Sequence, residues 1–216
     1  RDPVPLRQAL HVARNVAAGL DYIGARGFVH RDVKSANILL DQDWRVKLCD
    51  FGLALPAPRF PPIDPNPSAR GLHSTRRKLA GSPCWMAPET LLGEALSGQA
   101  DMYSFGVVLW EMMSGGDVPW ADKSNSQVLE LVGHLRVKLF LPRRQRSVYP
   151  PWFPQVMDEC FAFDPAERPP PGRCCEIFDQ HLPLSSAEEL ESGLQEWATM
   201  LASAPGVSDE DDPGLM

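Results

Sequence analysis

The chain has 216 residues, 44% apolar and 23% charged, with 21 Lys and Arg against 28 Asp and Glu. An apolar share this near the globular average excludes wholesale disorder and supplies material for one or two domains with a buried core. Apolar runs such as 105–110 are far shorter than a bilayer crossing, and the opening Arg-Asp-Pro-Val-Pro lacks an apolar leader core, so neither a membrane span nor a signal peptide is expected.

Charge is unevenly spread. Eight of the 28 acids lie beyond Leu184, where there is no Lys or Arg, which leaves a nearly neutral body of 20 acids against 21 bases. A neutral body lacks the electrostatic footprint of a nucleic-acid binder. The five cysteines form no C-x-x-C pair, and Cys174 and Cys175 are adjacent. That pattern fits reduced thiols in the cytoplasm or nucleus and argues against a zinc site.

In chain order, Leu6, Ala9, Leu10, Ala13, Val16, Ala17 and Leu20 recur at helical spacing, and Gly24 and Gly27 are expected to stop that helix. Two short apolar runs, 38–40 and 46–48, flank Asp41-Gln42-Asp43 and read as a hairpin. Residues 51–88, with six prolines between Pro56 and Pro67, read as a long loop. Residues 102–113 are apolar almost all round, which marks a buried helix. Weaker helices fit 125–135, 153–163 and 172–181, separated by Pro142, Pro150-Pro151 and Pro165. Arg143, Arg144 and Arg146 read as a solvated loop between helices. Leu190, Leu194, Trp197 and Leu201 stripe a last amphipathic helix, followed by a solvated acidic tail. The expected fold is mainly α with one small β-hairpin.

Three motifs carry chemistry: His30-Arg31-Asp32-Val33-Lys34-Ser35-Ala36-Asn37, then Asp50-Phe51-Gly52, then Ala87-Pro88-Glu89. Any one of them alone is weak. In this order, with a helix before and an irregular loop between, they form the protein-kinase signature set. The chain thus resembles the C-terminal lobe of a eukaryotic protein kinase over roughly residues 4–183. Residues 1–183 are accordingly expected to be that lobe, 184–204 an amphipathic helix and 205–216 a disordered acidic tail.

The resemblance implies ATP and Mg²⁺ as cofactors and proteins bearing Ser or Thr acceptors as substrates. Phosphoryl transfer needs positioning and charge neutralisation more than covalent help. In the family's pattern Asp32 orients the substrate hydroxyl and accepts its proton, a role worth ~10²–10⁴-fold. Lys34 brings a compact cation to the transferred phosphate. Asn37 and Asp50 supply the hard oxygen ligands that Mg²⁺ requires, brought together by the hairpin. His30 and Phe51 are implied to pack together in the core. Arg31 is implied to pair with a phosphate on the long loop, placed there by an upstream kinase. Ser68, Ser74 and Thr75 are the acceptors there, with Arg76-Arg77-Lys78 beside them, and Ser74 or Thr75 is the expected site.

Gly81-Ser82-Pro83-Cys84-Trp85-Met86-Ala87-Pro88-Glu89 resembles the substrate-docking segment of the tyrosine-kinase-like group of serine/threonine kinases, with Ser82 bonded near Asp32 and Lys34. Lys34, two residues after Asp32, implies Ser/Thr rather than Tyr specificity. Glu89 and Arg168 match a buried family ion pair, and Asp101 an acid that accepts hydrogen bonds from the catalytic-loop backbone. Arg168-Pro169-Pro170-Pro171 departs from the family, which commonly has an aromatic residue, Thr or Ser after Arg-Pro. Cys49, next to Asp50, is implied to face the nucleotide, as an inert thiol by default.

Neither a G-x-G-x-x-G loop nor a Val-Ala-Ile-Lys strand occurs in the chain, which also opens without Met. Those parts belong to the N-terminal lobe that covers the ATP phosphates. The expectation is therefore a fragment of a complete kinase, inactive by itself. The alternative is a truncated, non-catalytic interaction module.

Overall fold

In the computed structural model, which describes residues 2–41, 45–57, 81–94 and 97–182, the first apolar stripe becomes α1 (Leu6–Ala25). Its buried face includes Leu10, Val12, Ala13, Val16, Ala17 and Leu20. Gly24 does not stop it; the helix ends beyond Ala25, where Gly27 adopts a φ of 75° that L side chains rarely take.

Strand β1 (Phe28–Val29) follows, then a 3₁₀ turn over Ser35–Asn37 that leads into β2 (Ile38–Leu40). β2 pairs antiparallel with β3 (Val46–Leu48) in the register Ile38↔Leu48, Leu39↔Lys47 and Leu40↔Val46, which is the expected hairpin. The sequence does not signal the second two-stranded sheet. Strand β4 (Leu55–Pro56) comes back to pair Phe28↔Pro56 and Val29↔Leu55, inside the stretch read as loop. Two-residue strands are too short for alternation to appear.

A 3₁₀ turn over Pro83–Trp85 precedes α2 (Pro88–Leu91) and the long α3 (Gly98–Ser114). From Ala100 to Ser114 every α3 residue is buried, as its apolar composition predicts. α4 (Asn125–Val128) opens on a capping box from Ser124 and Gln127 and continues as a π turn over Leu129–His134. The three arginines expected in a loop form one helical turn, α5 (Arg143–Arg146), and Arg146 pairs with Asp158. α6 (Trp152–Cys160) ends earlier than the periodicity suggests. α7 (Pro171–His181) closes the described chain.

The core is built on α3, against which α1 and α6 pack, while α7 lies along α1. Helices α3 and α6 approach so closely that a Cβ on Gly106 would stand 2.7 Å from the Cβ of Cys160. The triple proline after Arg168 is accommodated because Pro170 is the N-cap and Pro171 the first residue of α7, where no intrahelical N–H is required. Among the described residues no helix is long and apolar enough to cross a membrane. The last amphipathic helix and the acidic tail lie outside the described residues.

Candidate active site

The loop bearing the first motif is anchored from beneath by α3. The Asp101 carboxylate, 4% exposed, accepts the backbone N–H of His30 at 2.7 Å and of Arg31 at 2.8 Å. Burial pushes the Asp101 carboxyl up to about 6 against the pull of those two donors. The anchoring holds Arg31 at a φ of 72°, a left-handed conformation unusual outside glycine. Its guanidinium donates to the Leu53 carbonyl at 3.3 Å, which ties the loop to the segment after Asp-Phe-Gly.

His30 is fully buried and works as a spacer. Its Nε2 bonds the Cys49 carbonyl at 2.9 Å and its Nδ1 accepts the Asp32 N–H at 3.3 Å, an arrangement that suits the Nε2–H tautomer. The Phe51 ring meets it edge-on at 4.8 Å between centroids. Phe51 itself is a correction to the expectation: it touches His30 but is 48% exposed, so it is not a core residue of the described chain. His30 covers one side of the ring and solvent meets the rest.

Asp32 is the point of convergence. Its carboxylate lies 3.0 Å from the Lys34 ammonium and accepts from Asn37 Nδ2 at 3.0 Å and from the Ser82 N–H at 3.2 Å. Lys34 also donates to Ser82 Oγ at 2.8 Å, and Asn37 Nδ2 to the Asp32 carbonyl at 2.8 Å. Burial alone would raise the Asp32 carboxyl, but the hydrogen bonds from Lys34, Ser82 and Asn37 outweigh it and hold it below the ordinary aspartate range. Asp32 is therefore an ionised acceptor at neutral pH.

Asp50 reaches the same neighbourhood through the hairpin. The Cys49 N–H donates to the Asn37 carbonyl at 2.9 Å, one step beyond the Ile38↔Leu48 pair, so Asn37 and Asp50 flank the open end of β2–β3. Asp50 sits at a φ of 58°, and its Oδ1 accepts the Gly52 N–H at 3.3 Å. Cys49 is a half-buried free thiol.

The Glu89–Arg168 pair is present and buried, with side chains 7% and 0% exposed. Arg168 holds Glu89 bidentately at 2.6 and 2.8 Å, and gives two further N–H donors to the carbonyls of Ala162 at 2.8 Å and Gln99 at 2.7 Å. This joins α2 to the chain entering α7. Ser68, Ser74, Thr75 and Arg76-Arg77-Lys78 lie outside the described residues.

Sequence reasoning missed Glu111. Its buried carboxyl accepts Ser35 Oγ–H at 2.7 Å and the Trp85 indole N–H at 2.9 Å, and burial pushes it up to about 7 against those bonds. The available signal was an acid within the apolar run Leu109-Trp110-Glu111-Met112, since acids are seldom fully buried without partners.

An ionised carboxylate clasped by an ammonium, a carboxamide and a backbone amide, with a second carboxylate at the mouth of the adjoining hairpin, is an arrangement suited to reactions at anionic oxygen centres. Residues 1–178 match the family model for protein tyrosine and serine/threonine kinases. The serine/threonine-protein kinase CTR1 of Arabidopsis thaliana is 36% identical over 172 residues, 78% of this chain and 19% of that protein. SIS8, a probable serine/threonine-protein kinase of the same plant, is 34% identical over 76% of this chain and 14% of its own length. The human non-receptor tyrosine-protein kinase TNK1 is 37% identical over 72% of this chain and 21% of its own length. The chain belongs to the protein kinase family. It spans about a fifth or less of the length of these curated relatives.

Proposed function

We propose that this chain carries the catalytic and substrate-docking loops of a protein serine/threonine kinase, which transfers the ATP γ-phosphate to Ser or Thr of protein substrates. The observation that carries the reading is the convergence of Lys34, Asn37 and the Ser82 amide on the Asp32 carboxylate. Asp32, kept ionised by those donors, accepts the proton of the acceptor hydroxyl as it attacks. Lys34, already bridging Asp32 and Ser82, balances charge on the transferring group and links it to the docking turn. Lys34 at this position and the Ser82 contact favour Ser or Thr as acceptor, in line with CTR1 and SIS8, whereas TNK1 is a tyrosine-protein kinase.

Asn37 and Asp50 fit a Mg²⁺ ion by donor chemistry: a carboxamide oxygen and a carboxylate are hard ligands, and Mg²⁺ takes few protein ligands and completes its shell with water and phosphate. Because Asn37 spends its Nδ2 on Asp32, its Oδ1 is the end left for a cation. When bound, the ion neutralises charge on the phosphates of ATP.

Residues 1–183 serve as the C-terminal lobe, and an N-terminal lobe on the same polypeptide completes the nucleotide site. Leu39 and Phe51, each about half exposed and close in sequence to Asn37 and Asp50, support that reading, since large apolar side chains left in solvent suit a face that a further lobe covers. Arg31 receives a phosphate on Ser74 or Thr75 added by an upstream kinase, and five free thiols suit the cytoplasm or nucleus.

The test is phosphate transfer from Mg-ATP to a protein substrate by the full-length protein. Asp32→Asn and Asp50→Ala are each expected to abolish nearly all turnover, and retained activity in either refutes the assigned role. The 216 residues alone are expected to show little or no transfer; robust transfer by them would refute the need for a second lobe.

A further inference from the structure

Burying a carboxyl in the apolar middle of α3 costs free energy unless its oxygens are used. Glu111 uses each oxygen on a different loop. Oε1 takes the Ser35 hydroxyl, from the 3₁₀ turn between Asp32 and Asn37, and Oε2 takes the Trp85 indole, from the turn that follows Ser82. Two helical turns earlier on α3, Ser104 Oγ donates to the Trp85 carbonyl at 2.7 Å, so Trp85 is held at both its side chain and its backbone. The docking turn otherwise meets the catalytic loop through Ser82, whose N–H reaches Asp32 at 3.2 Å and whose Oγ accepts from Lys34 at 2.8 Å. Ser82 joins the two loops at one residue, and Ser104 holds Trp85 only to α3; Glu111 adds the second link between the turn and the catalytic loop, from Trp85 to Ser35.

We propose that Glu111 is a positioning residue, which ties the turn bearing Ser82 to the loop bearing Asp32, Lys34 and Asn37 and so keeps the Ser82 amide and the Lys34 ammonium on the Asp32 carboxylate. The consequence for phosphate transfer rests on the proposed role of Asp32; the tie itself does not. Glutamine at 111 preserves it, because the amide oxygen accepts the indole N–H while the amide nitrogen donates to Ser35 Oγ, which turns from donor to acceptor. Leucine removes it at similar volume.

The test uses the full chain and two NMR readouts that need no turnover: solvent exchange of the Ser82 backbone N–H, which is bound to Asp32, and of the Trp85 indole N–H, assigned through Trp85→Phe. Glu111→Leu is expected to speed indole exchange about tenfold, the scale of one lost hydrogen bond. It is also expected to speed exchange of the Ser82 amide. Glu111→Gln should leave both near the parent. A folded Glu111→Leu protein with unchanged Ser82 amide exchange overturns the proposal, whatever the indole does. Should Glu111→Leu fail to fold, Ser35→Ala removes one strand of the tie and leaves the apolar contacts; it is expected to speed Ser82 amide exchange by a smaller factor, and no change overturns the proposal. If Asp32→Asn keeps full phosphate transfer while Glu111→Leu exposes the Ser82 amide, the kinase role of Asp32 fails and the tie stands.

Discussion

Replacing Arg168 by alanine tests the packing argument most directly. The guanidinium is fully buried and holds the Glu89 carboxylate at 2.6 and 2.8 Å together with the carbonyls of Ala162 and Gln99. Deleting it strands a carboxylate that is 7% exposed, for which the cost is about 3–5 kcal/mol. With a urea dependence of about 2 kcal/mol/M, the unfolding midpoint should fall by roughly 1.5–2.5 M. The exposed pairs Arg146–Asp158 and Arg14–Asp179 provide the contrast, since such pairs are worth about 0–1 kcal/mol and their alanine variants should shift the midpoint by less than about 0.5 M. A double change, Arg168→Met with Glu89→Leu, removes both charges and should recover part of the loss, because the penalty comes from the unpaired ion. Equilibrium urea unfolding followed by tryptophan fluorescence reads all four proteins. An Arg168→Ala midpoint no lower than that of Arg146→Ala would refute the reasoning.

Two further expectations concern stability. Asp101 and Glu111 have carboxyls raised by burial to about 6 and about 7, so each contributes stability that is fully present below its ordinary range and lost as pH climbs through those values. Asp32, held low by its donors, contributes in the opposite sense, with stability lost only as pH falls through its depressed range. Thermal melts between pH 5 and 8 should therefore show declining stability, roughly 3 kcal/mol of it from Glu111, and Glu111→Gln should flatten the curve; parallel curves for parent and variant would contradict this. Gly106→Ala places a Cβ 2.7 Å from that of Cys160 and should cost about 1–3 kcal/mol by forcing α3 from α6, whereas Gly98→Ala meets no atom within 4 Å and should be neutral or stabilising. Equal effects of the two in urea unfolding would count against the close helix approach.

Local chemistry made much of the fold and site legible beforehand. The stripes on α1 and α3, the β2–β3 hairpin and the three motifs all express periods or spacings within about 20 residues, where helix and strand geometry directly place side chains. The contacts of Asp101 with the loop at His30 and of Glu89 with Arg168 span 71 and 79 residues, and only the resemblance anticipated them. Nothing local distinguishes those acids from solvated ones.

The sequence by itself determined the kinase resemblance, the helical character and the identity of the groups now seen around Asp32. Tertiary structure alone decided that Glu111 joins two loops, that β4 returns to β1, that Phe51 stands half in solvent and that Gly106 admits a neighbouring helix. The physical reason is common to all four: each depends on which surface of one element lies against which surface of another, and that is set by the packing of the whole core around α3.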